Sequence, residues 1–99
     1  MKETGQTFRL LLQALNTASG GRPVLYVCQN MVDARRCATS AFKMASAYLK
    51  PGDVNLRMPD FVLELPNRNH IFFTTSEEVS GNKFKGLRNP QMILDGRVQ

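Results

Sequence analysis

The chain has 99 residues, 42% of them hydrophobic, and a formal net charge of +5. That length suits one domain spanning 1–99 rather than two, and no apolar run approaches the roughly 20 residues that cross a bilayer. One histidine and two cysteines exclude a Cys/His zinc site, since neither Cys28 nor Cys37 has a second ligand at metal spacing. Leu10-Leu11-Leu12 is framed by Arg9 and Gln13 and does not form a signal segment, so a cytoplasmic protein is expected.

Residues 4–19 predict the first helix. Phe8, Leu11, Leu12 and Leu15 recur at helical spacing, and Ala18 continues their face. Thr4 is placed to cap it, and Gly20-Gly21 to end it through the left-handed conformation that glycine adopts without penalty. Arg22-Pro23 then opens Val24-Leu25-Tyr26-Val27-Cys28, apolar on both faces like an interior strand of a parallel sheet. Asn30 is expected to cap a second helix over 32–49, with Ala34, Cys37, Ala38, Ala41, Ala45 and Tyr48 on one side. So many alanines imply a helix lying close against a sheet, and Pro51-Gly52 stops it. Residues 54–58 carry no clear pattern. After Pro59-Asp60, strands over 61–65 and 70–75 flank a turn at Pro66-Asn67-Arg68-Asn69 and predict a hairpin. Residues 76–91 are polar, and a last strand at 92–95 leads into Gly96. The expected fold is α/β: two helices packed on a small mixed sheet of about four strands, 23–29, 61–65, 70–75 and 92–95.

The positive charge is unevenly placed. Between Gly81 and Arg97 there are Lys83, Lys85, Arg88 and Arg97 against Asp95 alone, with Phe84 set between the two lysines. Arg35-Arg36 opens the second helix and Arg68 sits on the hairpin turn. Basic side chains with an interleaved aromatic suit phosphate contact and base stacking. The plain alternative is solvated surface charge, and cations in a first helical turn oppose the dipole. Asp95, after an apolar strand, also reads as a turn residue, Gln6 and Thr7 as an ordinary helix start, His70 as a surface residue, and the cysteines as buried free thiols. No carboxylate pair, nucleophile–base pair or complete glycine-rich loop supports another enzyme class. Ser76-Glu77-Glu78 with His70 on the preceding strand is too generic for a triad.

Several segments, in order, carry a more particular likeness. Thr4-Gly5-Gln6-Thr7-Phe8-Arg9-Leu10-Leu11 resembles the end of a Walker A loop and its helix, in the pattern T-G-K-T-x-x-L-L. The segment from Gly21 to Asn30 is similar to the second strand and following loop of the same core. Ile71-Phe72-Phe73-Thr74-Thr75, then Gly86-Leu87-Arg88-Asn89-Pro90, then Met92-Ile93-Leu94-Asp95, resemble the approach to a Walker B strand. The chain thus resembles the nucleotide-binding core of P-loop motor ATPases, of the helicase and phage terminase large-subunit type. The resemblance implies a partial P-loop NTPase fold with a vestigial nucleotide site at Gly5, Gln6, Thr7 and Asp95.

The departures from that pattern decide what the site is expected to do. A phosphate loop uses backbone N–H groups and a lysine charge, and here the lysine position is Gln6. Gly96 stands where the glutamate that activates water is usual, and no strand precedes the loop within these residues. Hydrolysis by this chain alone is therefore not expected, and no cofactor or metal is. A sheet lacking that strand would close differently, or be completed by another protein or by a second copy, which makes a homodimer a natural consequence. Three readings follow. The first is a non-catalytic, viral-type module that binds nucleic acid or a nucleic-acid-processing protein through Lys83, Phe84, Lys85, Arg88, Arg68, Arg35 and Arg36. The second is a protein-interaction or inhibitor module that binds no nucleic acid. The third is an ATPase fragment completed by another chain.

Overall fold

A computed structural model describes residues 5–50, 52–58 and 60–95. Thr4, Pro51, Pro59, Gly96 and Arg97, to which roles were given above, lie outside the described residues. The elements are α1 (Gly5–Ser19), β1 (Val24–Cys28), α2 (Met31–Ser46), β2 (Asn55–Arg57), β3 (Val62–Glu64), β4 (His70–Thr75), α3 (Ser76–Ser80) and β5 (Gln91–Leu94). The α/β class holds, but the described residues form one sheet of five strands with three helices, where four strands and two helices were expected.

The sheet order is β2-β3-β4-β1-β5. β1 runs parallel to both β4 and β5, while β2, β3 and β4 form an antiparallel meander. Every residue of β1 is buried, as its unbroken apolar run requires of a strand covered on both faces. Val24, Tyr26 and Cys28 point into one cluster with Ile71 and Phe73 of β4, Ile93 of β5, and the inner faces of α1 and α2. Leu25 and Val27 alternate to the opposite face, against which α3 packs, and Phe84 meets Phe72 of β4 on the same side.

α2 shows why alanine was abundant. Ala34, Ala38, Ala41 and Ala45 are buried, so the helix backbone lies close on the sheet. Asn30 caps it as expected, its side chain accepting the Asp33 N–H at 2.9 Å. The helix ends at Ser46 rather than near Leu49, because Tyr48 N–H bonds to Ala45 C=O and tightens the last turn. Tyr48 is consequently 81% exposed instead of sharing the buried side. On α1 the buried stripe is Leu11, Ala14 and Ala18, and Phe8 is half exposed. Gly21, at φ 102°, closes that helix as foreseen.

Two further elements were not anticipated. β2 pairs with β3, setting Leu56 opposite Leu63, and gives residues 54–58 their place at a sheet edge. α3 is capped by Thr75, whose hydroxyl accepts the Glu78 N–H at 3.3 Å.

The hairpin turn between β3 and β4 is bolted to the end of α1. Asn67 Nδ2 donates to Ala18 O at 2.9 Å and Ser19 O at 3.2 Å, and Asn69 Nδ2 donates to Ala18 O at 2.9 Å. These amides add side-chain donors to the last carbonyls of the helix, of which Ala18 O also accepts the Gly21 N–H at 3.0 Å. The Asn67→Ala/Asn69→Ala double variant should lose about 2 kcal/mol, or roughly 10 °C in Tm, in thermal denaturation. A change of only a few tenths of a kcal/mol would show that the turn does not depend on this anchor.

Candidate functional site

The parallel trio β4-β1-β5 has two ends, and each gathers a different chemistry. At the C-terminal end, α1 begins, α2 begins and β5 delivers Asp95. The Asp95 carboxylate is buried, and its Oδ2 accepts from the Tyr26 hydroxyl at 3.2 Å and lies 3.5 Å from the Thr7 hydroxyl. Asp95 is thus neither a plain turn residue nor an open ligand: it links β5 to β1 and to the first turn of α1. Of the four residues of the proposed vestigial nucleotide site, the structure joins Thr7 and Asp95, while Gly5 and Gln6 are exposed at the start of α1.

Burial, together with the nearby Cys37 and Asp95, raises the Tyr26 phenol well above its ordinary 10.0. Cys28, beside it, is raised well above its ordinary 9.0 by a side-chain hydrogen bond with Cys37 and by burial. Both thiols are buried and free, as expected, and the raised Cys28 thiol is an inert one. Among the described residues no group of three His, Cys, Asp or Glu side chains could hold a metal ion.

Arg35 and Arg36 lie near the same end, on the first turns of α2. Arg35 is exposed, and Arg36 is engaged by Asp33 at 3.5 Å.

At the N-terminal end, three arginines stand in the segments that lead into three adjacent strands. Val24 is level with Ile71 and with Gln91, so Arg22 comes level with the residues just before β4 and just before β5. Arg22 donates from Nε to Asn89 O at 2.8 Å and from Nη2 to Asn89 Oδ1 at 3.3 Å, which ties the starts of β1 and β5 together. Arg68 precedes β4 and Arg88 precedes β5, one position further out. The strands they lead into are neighbours in the order β4-β1-β5, which sets Arg68, Arg22 and Arg88 in a row along this end of the sheet. All three are exposed, and none forms an ion pair among the described residues. His70 and Glu64 pair beside them at 3.4 Å, and His70 is half-buried rather than on the open surface.

Lys83, Phe84 and Lys85 form a third group, on the sheet face away from α1 and α2. Lys83 Nζ lies 3.3 Å from Glu78 and 3.4 Å from Asp60. Burial pulls its ammonium down, and the two carboxylates more than offset this, leaving it raised. Phe84 is half-buried with its ring 5.4 Å from that of Phe72, beside a cleft of about 230 Å³ also lined by Val62, Gly86 and Leu87. Lys85 is exposed.

The basic residues picked out in the sequence therefore do not share one surface. The structure groups Arg68 with Arg88, sets Arg35 and Arg36 at the opposite end, and engages Lys83 internally. It adds Arg22, which the sequence reading passed over. Its signal was available: Arg22 directly precedes the central apolar strand, so it falls level with whatever precedes each parallel neighbour. Compared with protein-family models, curated proteins and solved structures, the chain matches none. No helix among the described residues is long and apolar enough to cross a membrane.

The raised Tyr26 and Cys28 have a direct consequence for stability. Below their ordinary values both groups are neutral folded and unfolded alike, so their contribution is fully present. Above about pH 9 to 10 the unfolded chain ionises them while the folded chain does not, and stability falls as pH rises. Tyr26→Phe should lower stability near pH 7 by about 1–3 kcal/mol, through loss of the bond to the Asp95 carboxylate. It should also make the decline above pH 10 shallower. Unfolding curves across that range check both effects, and a decline as steep as wild type would remove Tyr26 as a cause.

Proposed function

We propose that this chain is a non-catalytic module of P-loop motor kinship that binds a nucleic-acid backbone along the N-terminal end of its parallel strands. The observation that carries the reading is the row Arg68-Arg22-Arg88, exposed and without carboxylate partners among the described residues. Phosphates are the natural partners of such a row, because guanidinium groups match them in charge and in planar geometry. The row is also firmly held: Arg22 is fixed on Asn89, and the turn bearing Arg68 is anchored to α1 by its asparagines. A pre-positioned contact loses less entropy on binding than one carried by a free loop. Lys83 contributes less, since its charge is matched by Glu78 and Asp60. Contact through backbone phosphates implies little base preference.

Labelled oligonucleotides followed by anisotropy over a salt series test this. Three phosphate contacts give log K against log salt a slope of roughly −2 to −3. Arg68→Gln/Arg88→Gln, which leaves the Arg22–Asn89 bond in place, should weaken binding at least tenfold and flatten the slope by about 1 to 2. Lys83→Gln should change affinity by about twofold at most, as for an exposed paired charge. Equal affinity in the double variant, or no binding of wild type at low salt, defeats the proposal.

One observation favours a second reading, an ATPase fragment completed by another chain. In a P-loop site the Walker A hydroxyl and the Walker B carboxylate hold the magnesium ion together, and here Thr7 and Asp95 are 3.5 Å apart. Both offer the hard oxygen donors that magnesium takes. They would hold the ion, which brings positive charge to a phosphate group when bound. The fit is partial, because Gln6 brings no charge and the Asp95 carboxylate already receives the Tyr26 hydroxyl. Calorimetric titration with magnesium and ATP should show binding that Asp95→Asn abolishes and no turnover by the chain alone. Absence of heat at millimolar nucleotide, with and without candidate partners, removes this reading.

A further inference from the structure

The two edges of the sheet differ in chemistry. β2 is three residues long, with Asn55 and Arg57 exposed, and a short charged edge resists pairing with another strand. β5, Gln91-Met92-Ile93-Leu94, carries no charge, and its Met92 and Leu94 side chains are 47% and 53% exposed. Nothing among the described residues pairs with its outer side.

Backbone direction defines what that side offers. In a parallel ladder the N–H and C=O of one residue face the same neighbour. The Gln91 N–H bonds to Pro23 O at 2.8 Å and the Asp95 N–H to Val27 O at 3.0 Å, so residues 91, 93 and 95 face β1. Met92 and Leu94 therefore direct both their N–H and C=O outward. Pro90 faces outward too, but it has no N–H to give. The open edge is a window of two complete donor–acceptor sets, bounded on one side by a proline.

We propose that β5 pairs antiparallel with β5 of a second copy of this chain, Met92 opposite Leu94 of the other copy. A two-fold axis through Ile93 makes the contact self-complementary. In this register Met92 and Leu94 of each copy exchange both backbone bonds with the other, leaving no outward N–H or C=O in the window unpaired. A slip by two residues sets Pro90 against a carbonyl that then has no donor. The same axis keeps the sheet faces matched, so Met92 and Leu94 of both copies meet in one apolar cluster on the side away from α1 and α2. Uncharged strands bring no repulsion to the seam. So short a window buries less than the roughly 1,200 Å² typical of stable complexes, which makes this a weak dimer set by concentration.

Sedimentation of the whole chain from micromolar to millimolar concentration tests the pairing. Leu94→Pro removes one outward donor while sparing the ladder to β1, which uses residues 91, 93 and 95. Met92→Lys puts a charge into the cluster without altering the backbone. Wild type should pass from monomer to dimer, and each variant should weaken that step at least tenfold with unchanged circular dichroism. If Leu94→Pro fails to fold, Met92→Lys decides alone. A wild type that stays monomeric throughout, one that pairs only with a different protein, or a dimer indifferent to the folded variants overturns the proposal.

Discussion

The parallel pairing of β1 with β4 and β5 is the constraint from which the rest of the structure follows. One strand, apolar on both faces, sits between two neighbours that run the same way, so all three begin at one end of the sheet and finish at the other. Whatever precedes these strands is brought to one end, and whatever follows them is brought to the opposite end. Arginines precede all three. A hydroxyl at the start of α1, the start of α2 and the buried Asp95 collect where the strands finish. Neither grouping depends on residues close together in the chain; the ladder makes both.

The C-terminal end is best understood through what Asp95 costs. A carboxylate at 8% exposure is stable only when hydrogen-bonded, and Tyr26 answers that need from the neighbouring strand. Tyr26 in turn is fully buried and needs a partner for its hydroxyl. The pair therefore holds β5 against β1 at the point where the chain leaves the sheet. An aspartate that does this serves the fold whether or not any ion reaches it. At the N-terminal end the requirements differ: the arginines are exposed, and their supports, Asn89, Asn67 and Asn69, act on backbone and position.

Much of this fold was legible in the residues. The five apolar residues of β1 announced a strand buried on both faces, Asn30 announced a cap, and Pro66 to Asn69 announced a hairpin turn. Other features were hidden for physical reasons. β2 has a weak pattern of its own and exists because β3 offers it an edge. α3 is only five residues, but Thr75 and Glu78 stand at capping-box spacing, a signal present and passed over. Phe8 fits the helical period of α1, yet the face that packs is shifted toward Leu11, Ala14 and Ala18. The candidate site was least legible. Charge density along the chain pointed to Lys83, but Asp60, over twenty residues away, and Glu78 fold back on it. Arg22 gained its place only through strand register.

The central claim is that the row of arginines at the start of the parallel strands is a phosphate-binding surface. The most direct measurement is an amide-resolved NMR titration of the full chain with a short oligonucleotide, at low and at raised salt. Salt-sensitive shifts should concentrate at Gly21 and Arg22, at Asn67 to Asn69, and at Arg88, Asn89 and Gln91. Shifts confined to the first turns of α2 and α3 at the other end of the sheet, or no shifts at low salt, would contradict the account.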